Sequence, residues 1–156
     1  MQMRFLGMGG IFTGVKNQQL TLALLAPALL AAATGLALIQ PRDFAGQAAA
    51  KDAPAIFHVG PNVLYRSKHI PRSVYAGPGS REDGLAMLRA AAAKLPRDRE
   101  IVIYCGCCPW DRCPNVKPAV EALTQMGFTK VKALYIETNF KSDWIDKGYP
   151  VESPAQ

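Results

Sequence analysis

No cysteine lies outside one window of nine residues in this 156-residue chain: Cys105, Cys107, Cys108 and Cys113 are all it has. Paired Cys-x2-Cys knuckles are also missing, which argues against an ordinary zinc finger. The formal charge is +6, but the Lys and Arg residues are scattered, and no basic stripe with interleaved aromatics runs among them. Nucleic acid is therefore not an expected partner. No internal repeat occurs, which sets aside solenoids and propellers. The length suits one domain with a proper core and is too short for two ordinary ones.

Charge is absent from Leu20 to Ile39, an apolar run near the roughly 20 residues that a membrane-spanning helix needs. Residues 1–19 carry Arg4 and Lys16 and no acid, a bias that favours leaving the N-terminus in the cytoplasm. The run is expected to be a hydrophobic helix that serves as a signal-peptide core or a membrane anchor. Small residues around Ala31–Ala33 or Gly46–Ala48 would suit cleavage, and both the anchored and the cleaved form stay open. Residues 40–54, rich in Ala, Gly, Gln and Pro, read as a linker. The globular part then spans 55–152, with 153–156 as a tail, and lies outside the cytoplasm, in the periplasm or tethered to the membrane, where neighbouring thiols oxidise.

Within that part, Ala55–Val59 is a short apolar strand ended by Gly60-Pro61-Asn62, and Ser73-Val74-Tyr75 is a second. From Arg81 to Leu95 acids at the start, Leu85, Leu88 and Ala92 on one face, and Pro96 at the end predict a helix. Ile101–Tyr104 is a run of strand formers expected to be buried on both sides of a parallel sheet. Val116–Met126 repeats apolar residues at helical spacing, with Asn115 as N-cap and Gly127 as the αL terminator. A strand over Val131–Ile136 and a helical turn over Phe140–Asp146 follow. The order predicts a three-layer α/β/α domain with a mainly parallel central sheet.

The cysteines fall on the loop between the buried strand and its following helix, where parallel sheets place their ligands. Oriented amides at such a loop stabilise a thiolate. Gly106 allows a sharp backbone turn there, and Arg112 offers a planar fork for sulfate-like or phosphate oxygens. Cys107, Cys108 and Trp110 would line the remainder of the pocket around Cys105. His58 reads as a core histidine, and His69 as a turn-fixing one.

Ile101-Val-Ile-Tyr-Cys105, followed by a loop and then Ala119-x3-Leu123-x3-Gly127-Phe128 and a strand, resembles the active-site region of rhodanese-like sulfurtransferases. Lys68-His69-Ile70-Pro71 and Trp144 with Gly148-Tyr149-Pro150-Val151 resemble that family's flanking elements. His58-Val59-Gly60 departs from its Asp-Val-Arg, and Thr138-Asn139 from its paired glycines. The resemblance implies that Cys105 carries sulfane sulfur as a persulfide, that the loop amides from Gly106 to Arg112 stabilise it, and that Arg112 orients the donor. It implies a small anionic sulfur donor, a thiol or cyanide acceptor, and no organic cofactor.

Two other readings stay open. Phosphatases of related fold separate cysteine and arginine by five residues, whereas six lie between Cys105 and Arg112 and four between Cys107 and Arg112, so phosphate chemistry is not expected. Cys105, Cys107, Cys108 and Cys113 together offer four soft thiolates, enough for zinc or copper(I) in a non-enzymatic module. The same four permit disulfide exchange: a Cys108–Cys113 bridge would shape the loop, and Cys107 would act as a resolving thiol for Cys105.

Overall fold

Residues 35–153 are described by the computed structural model. In chain order they form β1 (Leu38–Ile39), α1 (Pro41–Ala49), β2 (Ala55–His58), α2 (Asn62–Ser67), β3 (Val74–Tyr75), α3 (Glu82–Ala92), β4 (Ile101–Tyr104), α4 (Val116–Gln125) and β5 (Val131–Leu134). A 3₁₀ turn at Trp110–Arg112 lies in the cysteine loop, and a π-helical turn at Lys141–Ile145 follows β5. The strands make one sheet in the order β1-β5-β4-β2-β3, with every pairing parallel.

All four residues of β4 are buried, as a continuous run of strand formers demands in the centre of a covered sheet. Alternation divides them between two cores. Ile101 and Ile103 face Leu88 and Ala92 of α3 and Val116, Ala119 and Leu123 of α4. Val102 and Tyr104 face Phe44, Ala45 and Ala48 of α1 together with Phe140 and Trp144. Helices thus cover both faces of the sheet.

Two expectations about the N-terminal side are corrected. Residues 40–54 are not a plain linker, because α1 occupies Pro41–Ala49. Pro41 presets the first-turn dihedral, alanine is the best helix former, and Phe44, Ala45 and Ala48 present one face to the sheet. Phe44 is fully buried, 6.0 Å from the Trp144 ring, a burial that contributes about 1.5–3 kcal/mol. The Arg72 guanidinium closes the far end of the helix by donating to the carbonyls of Ala48, at 3.1 Å, and Ala50.

The end of the apolar run is not helical, since Leu38–Ile39 pair with Ala133–Leu134 of β5 as an edge strand. The folded unit consequently includes β1 and α1, ahead of Ala55. Residues 1–34 of the N-terminal segment and 154–156 of the tail lie outside the described residues. Among the described residues no helix is long and apolar enough to cross a membrane.

Candidate functional site

The carboxyl end of β4 positions the first thiol. Register places His58 of β2 beside Tyr104, and the Val59 amide donates to the Tyr104 carbonyl at 2.8 Å, so the chain after β2 runs against Cys105. Gly60 sits there because nothing larger fits: a β-carbon would lie 2.8 Å from Cys105 Sγ and 3.1 Å from His58 Cε1. Cys105 itself is 1% exposed. Gly106 then turns the backbone with φ 73°, and its carbonyl accepts the Phe140 amide at 3.0 Å.

The turn brings the sulfurs together. Cys105 Sγ and Cys107 Sγ are 3.2 Å apart, and Cys107 Sγ and Cys108 Sγ 3.1 Å apart. The sulfurs of Cys105, Cys107 and Cys113 all lie within 4.8 Å of one another. All four cysteines are free thiols. Cys105 is buried while the other three are half-buried, so the cluster runs from the core outward.

Charge is unevenly shared across these thiols. Cys113 is lowered to about 5, first by the neighbouring Cys105 thiol and further by the amides of Asn115 and Val116 at the start of α4. Cys105 is pushed far up, because Cys113 holds the charge of the pair and because it is buried. The surroundings thus favour charge on Cys113 and disfavour it on Cys105.

Asn115 holds this arrangement from above. It was expected as a side-chain N-cap, but no capping hydrogen bond forms, and its side chain turns inward at 4% exposure. Its Oδ1 accepts the Ser80 amide at 3.0 Å, while Nδ2 donates to Cys105 Sγ at 3.4 Å and to Cys107 Sγ at 3.7 Å. Gly79 lets the loop before α3 close on this residue, since a β-carbon there would meet the Asn115 carbonyl oxygen at 2.1 Å. Sequence alone shows only an asparagine at a helix start; its role depends on α3 and α4 packing together.

His58 buttresses the loop from the other side. Its Nε2 lies 3.2 Å from the Cys105 carbonyl, which can only accept, so the proton is on Nε2 and Nδ1 is a bare lone pair. Among the described residues that buried Nδ1 has no partner. Tyr104, Tyr65 and Tyr75 surround the ring at 4.9, 5.6 and 6.0 Å, and burial lowers its pKa to about 4. His69 is a turn residue, donating from Nδ1 to the Tyr65 carbonyl at 2.9 Å and bridging backbone to backbone with Glu152.

The remaining loop residues are less close to the sulfurs. Trp110 is half-buried against Tyr135 at 5.3 Å, and its amide donates to the Glu137 carbonyl. Arg112 is exposed on the 3₁₀ turn, and its carbonyl rather than its guanidinium meets a sulfur, accepting from Cys108 at 3.7 Å. A cleft of about 330 Å³ opens beyond Tyr135, lined by Pro41, Arg42, Glu137, Asp143 and Lys147, and no cysteine borders it.

Neither a family model nor a curated protein matches the sequence. Among solved structures the Alr3790 protein from Anabaena sp. is similar, with a TM-score of 0.56 and 19% identity. The match covers 74% of this chain and 91% of that one. At that identity the likeness concerns the fold alone.

Proposed function

We propose that the chain is an exported or membrane-anchored rhodanese-like sulfurtransferase that carries sulfane sulfur as a persulfide on Cys105. The observation that carries this reading is a thiol at the carboxyl end of the central strand of a parallel sheet, with an amide donor on its sulfur. Nucleophilic, covalent catalysis in two half-reactions follows from such a group. In the first, Cys105 Sγ attacks the outer sulfur of a thiosulfate-type donor, and the Cys105 proton leaves with the departing sulfite. The sulfur–sulfur bond of the donor breaks, sulfite leaves, and a Cys105 persulfide anion remains beside the Asn115 amide. Because Cys105 is 1% exposed, the donor enters only as the half-buried outer thiols move aside. An external thiol or cyanide accepts the sulfur in the second half-reaction.

Intact mass tests this directly. The reduced full-length chain, treated with thiosulfate and freed of excess, is expected to release one equivalent of sulfite and to leave a sulfur that reductant removes. Cys105→Ser is expected to do neither. An equal gain of sulfur by the variant would remove Cys105 as the carrier.

A second reading has its own observation, the three sulfurs within 4.8 Å of one another. Three thiolates at that spacing suit copper(I), and Cys108 would complete a set of four for zinc. Titration of the reduced chain with zinc or copper(I) against a competing chelator separates the two functions. The persulfide reading expects weak binding; retention of one ion per chain, abolished in both Cys105→Ser and Cys113→Ser, would favour the metal module.

A further inference from the structure

We infer that Cys107 resolves the Cys105 persulfide internally, so that the protein releases the transferred sulfur as sulfide and itself becomes a Cys105–Cys107 disulfide. The inference rests on the persulfide reading and adds to it a product and a second reactive residue. Its geometric basis is the 3.2 Å contact between Cys105 Sγ and Cys107 Sγ. That contact is with the sulfur that would be the inner atom of the persulfide.

Attack there forms the bond between the two cysteine sulfurs and breaks the bond between the inner and outer sulfurs. The Cys107 proton goes to the departing outer sulfur, which leaves as hydrosulfide with the electron pair. The sulfane sulfur is reduced by two electrons, and the two cysteines are oxidised by two. The alternative, attack on the outer sulfur, would have to expel Cys105 as a thiolate. Its buried position and the charge on Cys113 make Cys105 a poor leaving group, so expulsion of hydrosulfide is favoured.

The other two thiols are less suited to the step. Cys108 touches Cys107 at 3.1 Å rather than Cys105. Cys113 belongs to the same cluster of sulfurs within 4.8 Å, but the 3.2 Å contact of Cys105 is with Cys107. Gly106 also fits the bridge, because its positive φ folds the residues on either side toward one another. The Asn115 amide reaches both sulfurs, at 3.4 and 3.7 Å, and so spans the pair that would join. A thiol or dithiol reductant from outside, as a chemical class, returns the disulfide to two thiols for the next cycle.

A single turnover without added thiol tests the step. Reduced full-length protein is freed of reductant under anaerobic conditions and given excess thiosulfate, and sulfite, sulfide and intact mass are followed together. The expected result is one sulfite and one sulfide per chain, loss of two hydrogens in mass, and a Cys105–Cys107 bridge in the peptide map. Cys107→Ser is expected to release sulfite, keep the extra sulfur, and yield sulfide at least about ten-fold more slowly, because the positioned thiol is gone. Sulfite with a lasting persulfide and no sulfide in the parent would overturn the inference and leave the transferase standing. Absence of sulfite would overturn both. A map showing Cys105 joined to Cys108 or Cys113 would also overturn the role of Cys107, independently of how any variant folds.

Discussion

Gly106→Ala is expected to lower the stability of the protein by about 2–5 kcal/mol, read as a shift in the urea midpoint at unchanged slope. Two costs combine. A side chain at φ 73° is strained by about 1–2 kcal/mol, and its β-carbon would sit 2.6 Å from the Phe140 β-carbon, an overpacking that costs about 1–3 kcal/mol more. Relief by rotation is not available, because the opposing atoms belong to the backbone and first carbon of Phe140 and are tied to Gly106 by the 3.0 Å amide bond. Gly127→Ala supplies the comparison. Its φ is 88°, but among the described residues nothing lies within 4 Å of the added carbon, so only the strain of about 1–2 kcal/mol applies. Equal losses in the two variants would refute the close packing of the cysteine loop on Phe140.

Stability is also expected to fall between about pH 6.5 and about pH 4 because of His58. Folding moves its pKa from 6.5 to about 4, chiefly through burial. Within that window the unfolded chain binds a proton that the native chain refuses, so acidification draws the equilibrium toward unfolding. Above the window both states are neutral at this residue and no dependence arises. At about pH 4.5 the contribution is about 2–3 kcal/mol. His58→Gln keeps an amide donor for the Cys105 carbonyl and lacks the titration. The difference between parent and variant, measured by urea unfolding at about pH 7.5 and about pH 4.5, should therefore shrink by that amount at the lower pH. A constant difference would show that the pH dependence belongs to other groups.

What could be read from the sequence follows the length over which each signal acts. The burial of β4 was legible because four strand formers in succession have one common use, and α4 because its apolar residues recur at helical spacing before Gly127. Helix α1 was not, since the Ala, Gly and Gln that build it also compose flexible linkers, and only Phe44 marks its apolar face. Helix α2 was missed for a related reason: none of its six residues is buried, so it carries no amphipathic pattern. Strand β1 was hidden inside a longer apolar run, where two residues of strand leave no separate signature.

The site divides in the same way. Clustered cysteines after a buried strand marked the loop where the sulfurs gather, and Gly106 marked the turn. Residue spacing along the loop said nothing of which sulfurs meet, because 3.2 Å contacts depend on the path of the backbone through a positive φ. The inward turn of Asn115 needed the loop before α3, some thirty-five positions earlier, to supply the Ser80 amide. Gly60 looked like a turn signal and proved to be the space that Cys105 Sγ occupies.

The pairing of β1 with β5 joins the first strand of the folded unit to its last. A chain that emerges from its N-terminus therefore makes the edge strand first and meets that strand's partner last. At synthesis rates of about 5–20 residues per second, the interval is on the order of five to twenty seconds. The thiols emerge about twenty residues ahead of β5, so for about one to five seconds they stand on a sheet that still lacks that strand. The order of the strands thus leaves the central strand and its thiols without one of their neighbours until β5 is made.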